Sequence, residues 1–231
     1  MKTYISQLYP FVAHILNVVK ENVRIYLMPS ICAYCKKFLS TQDIFCSACK
    51  DKIFRVVSKQ IDITPSVSVT VFAISDYKDP LKRLILGKSW SNSLASHYMG
   101  QLMWDTLPLK ELDCDVVVPI PLHWTRYAYR GFNQAEEIAR VISKKKNVPM
   151  CSALKRIKKT EYQSVLKSTL RGQNLKEAFA LNAAQAERCE KKHILLIDDL
   201  MTTGSTIRAA VKTLLPLKPK KITVAVVCRV V

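Results

Sequence analysis

The sequence predicts an α/β fold preceded by a small metal-bound module, on three observations. Short strands without polar alternation recur along the chain, helical patterns separate them, and two CxxC pairs lie near its start. Strands of that kind belong to parallel sheets covered on both faces. A chain of 231 residues can bury one substantial core and still carry a satellite module.

Residues 1–27 read as an amphipathic helix, because Ile5, Leu8, Val12, Ile15, Val19 and Val23 recur every three or four positions. His14 and Asn17 interrupt its apolar stretch and no small-residue cleavage site follows, so neither a membrane span nor a signal peptide is expected. Residues 28–59 form the module. Cys32 and Cys35, then Cys46 and Cys49, make two knuckles that can close a tetrahedron around Zn²⁺. With all four positions filled, the metal is structural. Cys114, Cys151, Cys189 and Cys228 lack metal spacing and are expected as ordinary thiols; without a secretory signal, cysteine usage points to a reducing compartment.

Residues 60–231 form the main domain. "SVTVFAISDY" is a strand, and "DPLKRLILGK" starts a helix with Asp79 at its cap and Pro80 at its first turn. "SNSLASHYMGQLMWDTL" is a second helix and "CDVVVPIP" a short apolar strand. "NQAEEIARVISKKKN" carries Ala135, Ile138, Ala139 and Ile142 on one helical face. "HILLIDD" is a strand, "TTGSTIRAAVKTLLP" a helix with Ile207, Ala210, Val211, Leu214 and Leu215 inward, and "KITVAVVCRV" a final strand.

The 36 Lys and Arg against 18 Asp and Glu give a formal net charge of +18, which predicts attraction to a polyanion. Lysine runs occur at Lys144, Lys145 and Lys146, at Lys158 and Lys159, at Lys191 and Lys192, and between Lys218 and Lys221. Several close helices, where positive charge favours the dipole.

Against that background, "ILLIDDLMTTGST" sets two carboxylates at a strand end and follows them with hydroxyls around one glycine. Ligands of open parallel sheets sit beyond the carboxyl ends of the strands, where Asp198 and Asp199 are expected. Thr202, Thr203, Gly204, Ser205 and Thr206 lead into a helix, whose N–H groups and dipole suit an anion. The GxxxxGK[ST] spacing of a P-loop is absent from this stretch, which argues against an ATPase. Carboxylates repel phosphate but accept hydrogen bonds from sugar hydroxyls. The pair and the loop together describe a ribose 5-phosphate.

This stretch resembles the phosphoribosyl pyrophosphate (PRPP) motif of type I phosphoribosyltransferases. The resemblance implies a phosphoribosyltransferase-like parallel sheet flanked by helices, with Asp198 and Asp199 on the ribose hydroxyls and Thr202 to Thr206 on the 5-phosphate. Combined with the CxxC pairs, the run Arg130, Gly131, Phe132, Asn133, Gln134 and the spaced set Thr160, Gln163, Leu166, Arg171, Asn174, Phe179 resemble the ComF family of competence proteins. The strand "VVVPIP" is followed by Arg126 and Arg130, where the transferase fold has its pyrophosphate loop, so both are candidate pyrophosphate contacts. Lys144, Lys145, Lys146, Lys158 and Lys159 are then the candidate DNA contacts.

The family resemblance implies handling of incoming single-stranded DNA in natural transformation, beside a helicase-like ATPase and inner-membrane uptake machinery. It also implies a cytoplasmic location, with peripheral contact at the inner membrane allowed. Mg²⁺ would accompany PRPP. An enzyme transferring the phosphoribosyl group to an acceptor stands as the alternative, and no nucleobase signature occurs in the expected hood, residues 65–107 with 153–180. His123 beside Trp124 reads more readily as structural than as an acid or base.

Overall fold

The protein, as a computed structural model, is described for residues 31–40, 43–53, 56–86, 93–123, 125, 127–128, 131–157 and 178–230. The expected helix over 1–27 lies outside them. The chain divides into two compact units between Asp51 and Lys52.

In the first unit, Ile31 and Phe38 form an antiparallel bridge around the first knuckle. Helix α1 (Ser47–Lys50) follows Cys46. Asp43 ties this short segment together, accepting Ile44 N through Oδ1 at 2.7 Å and pairing with Lys50.

The second unit is built on a five-stranded sheet. Its strands are β1 (Val57–Thr64), β2 (Val67–Asp76), β3 (Val116–Pro119), β6 (His193–Met201) and β7 (Lys221–Arg229), in the order β1-β2-β7-β6-β3. Strand β1 pairs antiparallel with β2, and every other pairing is parallel. Strand β1 therefore begins before Lys59, which the sequence reading assigned to the cysteine module. Its pattern, with Ile61 and Ile63 buried between polar neighbours, is that of an edge strand wetted on one face. Strands β4 (Leu154–Arg156) and β5 (Phe179–Leu181) make a separate antiparallel ribbon.

One face of the sheet is covered by α6 (Ser205–Leu214) and the ribbon. Leu196, Val224 and Val226 share a core with Ile207, Ala210, Val211 and Leu214 of the helix and with Leu154 and Phe179. Other helices are α2 (Leu81–Leu86), α3 (Ser93–Thr106), α4 (Gln134–Lys146) and α5 (Ala183–Ala186). Helix α4 buries Ala135, Ile138, Ala139 and Ile142, as its periodicity predicts. It lies so close to α3 that a Cβ on Gly100 would stand 2.8 Å from Val141 Cβ. Lys146 Nζ donates to Leu109 O at 2.9 Å, joining the last turn of α4 to the segment just after α3, so the two helices run parallel.

Among the described residues no helix is long and apolar enough to cross a membrane.

Candidate functional site

The sulfur atoms of Cys32, Cys35, Cys46 and Cys49 all lie within 4.8 Å of one another. A tetrahedral Zn²⁺ with bonds of about 2.3 Å has ligand edges of about 3.8 Å, and Cys35 Sγ and Cys46 Sγ are 3.7 Å apart. The set fits the metal. Each knuckle is folded by its own backbone: Lys36 N donates to Cys32 O and Cys49 N to Cys46 O, both at 3.0 Å, and Lys36 adopts φ 64°. Burial opposes ionisation of Cys32, but hydrogen bonds from the backbone of Cys35, Cys46 and Tyr34 outweigh it and bring the thiol down to about 6. Burial, then the neighbouring thiols, push Cys49 up to about 12. A cation at the centre would remove that conflict by holding all four as thiolates.

In the second unit the parallel strands end at one edge, and the acid pair is there. Asp198, opposite Val226 of β7, is 9% exposed, and Asp199 N donates to its Oδ1 at 2.9 Å. Burial first, and then the charge of Asp199, hold the Asp198 carboxyl well above the usual range. The backbone of Asp199 and the charge of Arg156 pull it back only in part. Two adjacent carboxyl groups, one of them desolvated, make a site that favours a hydroxyl donor or a cation.

After Met201 the chain turns through Gly204, at φ 75°, into α6. Thr203 Oγ1 and Ser205 Oγ lie 2.9 Å apart. A Cβ on Gly204 would meet Ile61 Cδ1 at 3.0 Å, so glycine is needed both for the left-handed backbone and for the approach of β1. Arg208, without a role in the sequence reading, fixes the loop from below. Its Nε donates to Asp62 O at 3.0 Å and its Nη1 to Thr203 O at 2.9 Å. The hydroxyls of the loop and the first N–H groups of α6 thus lie beside the carboxylates on the same strand-to-helix connection.

Other residues share this edge. Arg229 Nε donates to Asp76 Oδ1 at 2.8 Å. Arg156 stacks 5.4 Å from the ring centre of Phe179 and is the cation felt by Asp198; no local pattern marks it in the sequence. Asn133 caps α4, accepting Ala135 N at 3.2 Å and donating to Ile120 O at 3.1 Å. Next to it, Gln134 is 1% exposed and its amide has no hydrogen-bond partner among the described residues. His123 is buried and its Nδ1 lies 2.9 Å from Thr125 Oγ1, in keeping with a structural role. Arg126, Arg130, Trp124, Lys158, Lys159, Thr160, Gln163, Leu166, Arg171 and Asn174 lie outside the described residues. Lys144, Lys145 and Lys146 close α4 at the opposite end of the sheet from the acid pair.

A sequence profile of the phosphoribosyl transferase domain matches residues 115–230. The chain is 35% identical over 111 residues to competence protein F of Haemophilus influenzae, 48% of the length of each, so it spans about half of that relative. It is 31% identical over 163 residues to the DNA utilization protein YhgH of Escherichia coli, covering 68% of this chain and 70% of that one. It is 37% identical over 100 residues to competence protein ComFC of Bacillus subtilis, 43% of this chain and 38% of that one.

Proposed function

Since the chain belongs to the phosphoribosyl transferase domain family and, within it, to the ComF competence proteins, we propose that it binds PRPP at the β6–α6 connection and handles single-stranded DNA in transformation. The observation that carries the first half is the juxtaposition of Asp198 and Asp199 with the Thr202 to Thr206 loop. Its spacing suits a sugar whose hydroxyls meet the acids and whose 5-phosphate meets the loop. The phosphate would accept hydrogen bonds from the first N–H groups of α6 and from the Thr203 and Ser205 hydroxyls, with the helix dipole aligned. Arg126 and Arg130 are assigned to the pyrophosphate. Asp198 and Asp199 would also suit a Mg²⁺ ion bound with PRPP, which would supply positive charge against the pyrophosphate.

The second half draws on the names of the relatives, competence and DNA utilization, and on the charge of +18. In this reading a helicase-like ATPase and the inner-membrane uptake machinery are the partners, and Zn²⁺ in the cysteine module is structural.

Calorimetric titration of the zinc-loaded protein with PRPP and Mg²⁺ tests the site. Saturable binding is expected, and Asp198→Asn with Asp199→Asn should abolish it without loss of zinc. PRPP affinity retained in that double variant would refute the assignment of the acids.

A further inference from the structure

Lysine runs far apart in sequence meet at one end of the second unit. The first residues of β6 and β7, His193 and Lys221, are register partners, so the approaches to both strands lie side by side. Lys220 N donates to Lys192 O at 3.0 Å and Lys191 N to Leu217 O at 3.1 Å, which locks the two lysine-bearing turns together. Lys191 and Lys218 both take left-handed backbone there. Next to them Asp115 Oδ2 accepts His193 N at 2.8 Å. Its carboxyl is held low by that backbone bond and by Lys192, His193 and Lys220. The last turn of α4, with Lys144 to Lys146, reaches the same end, since the Lys146 charge acts on Cys114 beside Asp115.

We propose that this edge, where the parallel strands begin, binds the phosphate backbone of single-stranded DNA, separately from the sugar-phosphate site at the opposite edge. The proposal rests on the DNA-handling reading above and gives that function a surface. Solvation of helix ends accounts for Lys144 to Lys146, but Lys191, Lys192, Lys220 and Lys221 stand at strand entrances, two or more residues past the 3₁₀ turns Glu187–Cys189 and Leu215–Leu217, where the pull of a helix end has fallen off. All of these except Lys146 are exposed. The acids here are Glu190, which pairs with Lys191 at 3.4 Å, Asp115, which stays ionised while accepting His193 N, and its near neighbour Asp113; against Lys144, Lys145, Lys146, Lys191, Lys192, Lys220 and Lys221 they leave the edge an excess of positive charge. Among the described residues an anionic membrane fits this edge less well. Membrane-surface binding draws on apolar residues beside the basic ones, and among the described residues of this unit the exposed large apolar ones, Val56, Tyr127, Ile157 and Val230, belong to none of the turns that build the edge.

Separation from the acid pair follows from strand geometry. From His193 to Asp198 along β6 is roughly 17 Å at about 3.3 Å per residue, beyond a screening length of about 8 Å at physiological salt. The two ligands should therefore bind together.

The test measures a fluorescent oligothymidine against salt, with and without PRPP, for the wild type and for Lys191→Gln, Lys192→Gln, Lys220→Gln, Lys221→Gln combined. The variant should bind the strand about ten-fold more weakly, with a salt slope flatter by about 0.7 for each lost phosphate contact, while its PRPP affinity stays unchanged. A second variant, Lys144→Gln with Lys145→Gln, should move both readings in the same direction by less. DNA affinity and slope that survive both sets of substitutions would overturn the surface alone. Displacement of the strand by PRPP from the wild type would overturn the separation of the sites. A wild type that binds anionic vesicles but no oligothymidine at low salt would overturn both the surface and the DNA-handling reading.

Discussion

Asp198 is where burial and function pull in opposite directions. Its carboxyl is raised by desolvation and by Asp199, so the fold favours the protonated form. The sign follows from proton linkage: this group's stabilising contribution is present below the unfolded pKa of about 3.9 and is lost as pH rises toward and through the raised folded value. Asp198→Asn should therefore leave the ligand-free protein more stable than wild type at neutral pH, with the gap closing in acid. Thermal melts across that range check it, and a variant that melts lower at neutral pH would count against the desolvation argument. The proposed site spends fold stability on a carboxylate that a sugar hydroxyl or a cation would compensate. Gly204 supplies the second residue-scale prediction. An alanine there would cost about 1–2 kcal/mol for its left-handed backbone, plus the crowding against Ile61 Cδ1. Ile61→Val relieves the crowding but not the backbone, so a double-mutant cycle in urea should show favourable coupling between the two substitutions.

At the scale of elements, the strands and helices that align with apolar runs were legible, and those that depend on distant partners were not. The buried strands β3, β6 and β7 announce themselves through their apolar runs, β2 through the run Val71 to Ile74 and β-branched residues before it, and α4 and α6 through their stripes. Strand β1 does not, because "VSKQIDIT" is mostly polar and only Ile61 and Ile63 turn inward. The three-residue strands β4 and β5 are too short for any period, so Arg156 passed unmarked. Arg208 is a similar case: within "STIRAAVK" it is one more exposed helical position, and only the approach of β1 gives it Asp62 O to bond. The acid pair and its loop were legible because their chemistry is contiguous in sequence. Arg208→Gln should thus loosen the loop by about 1 kcal/mol, close to five-fold in PRPP affinity, with little change in the melting temperature. Calorimetry alongside a melt would separate this from general destabilisation.

At the scale of the molecule, the division at Asp51 and Lys52 sets what each part needs in order to fold. Among its described residues the cysteine unit has little apolar core beyond Leu39, Ile44 and Phe45, and so small a core would rely on a metal held by the four cysteines. Stripping Zn²⁺ with a chelator should abolish hydrogen-exchange protection around Cys32 to Cys49 while β2, β6 and β7 keep theirs. Loss of protection in the sheet as well would mean that the two units fold as one.

The strand order has a further consequence, for synthesis. Strand β2 lies between β1 and β7, and its closing contacts, such as Asp76 with Arg229, join residues 153 positions apart. The β1–β2 hairpin can form as it leaves the ribosome, but one side of β2 stays without its neighbour until Lys221–Arg229 has been made. At about 5–20 residues per second, that interval lasts roughly eight to thirty seconds. For that time a strand carrying Val69, Val71, Ala73 and Ile74 offers an open ladder to any other nascent chain, so crowding of nascent chains is where this fold is exposed to mispairing.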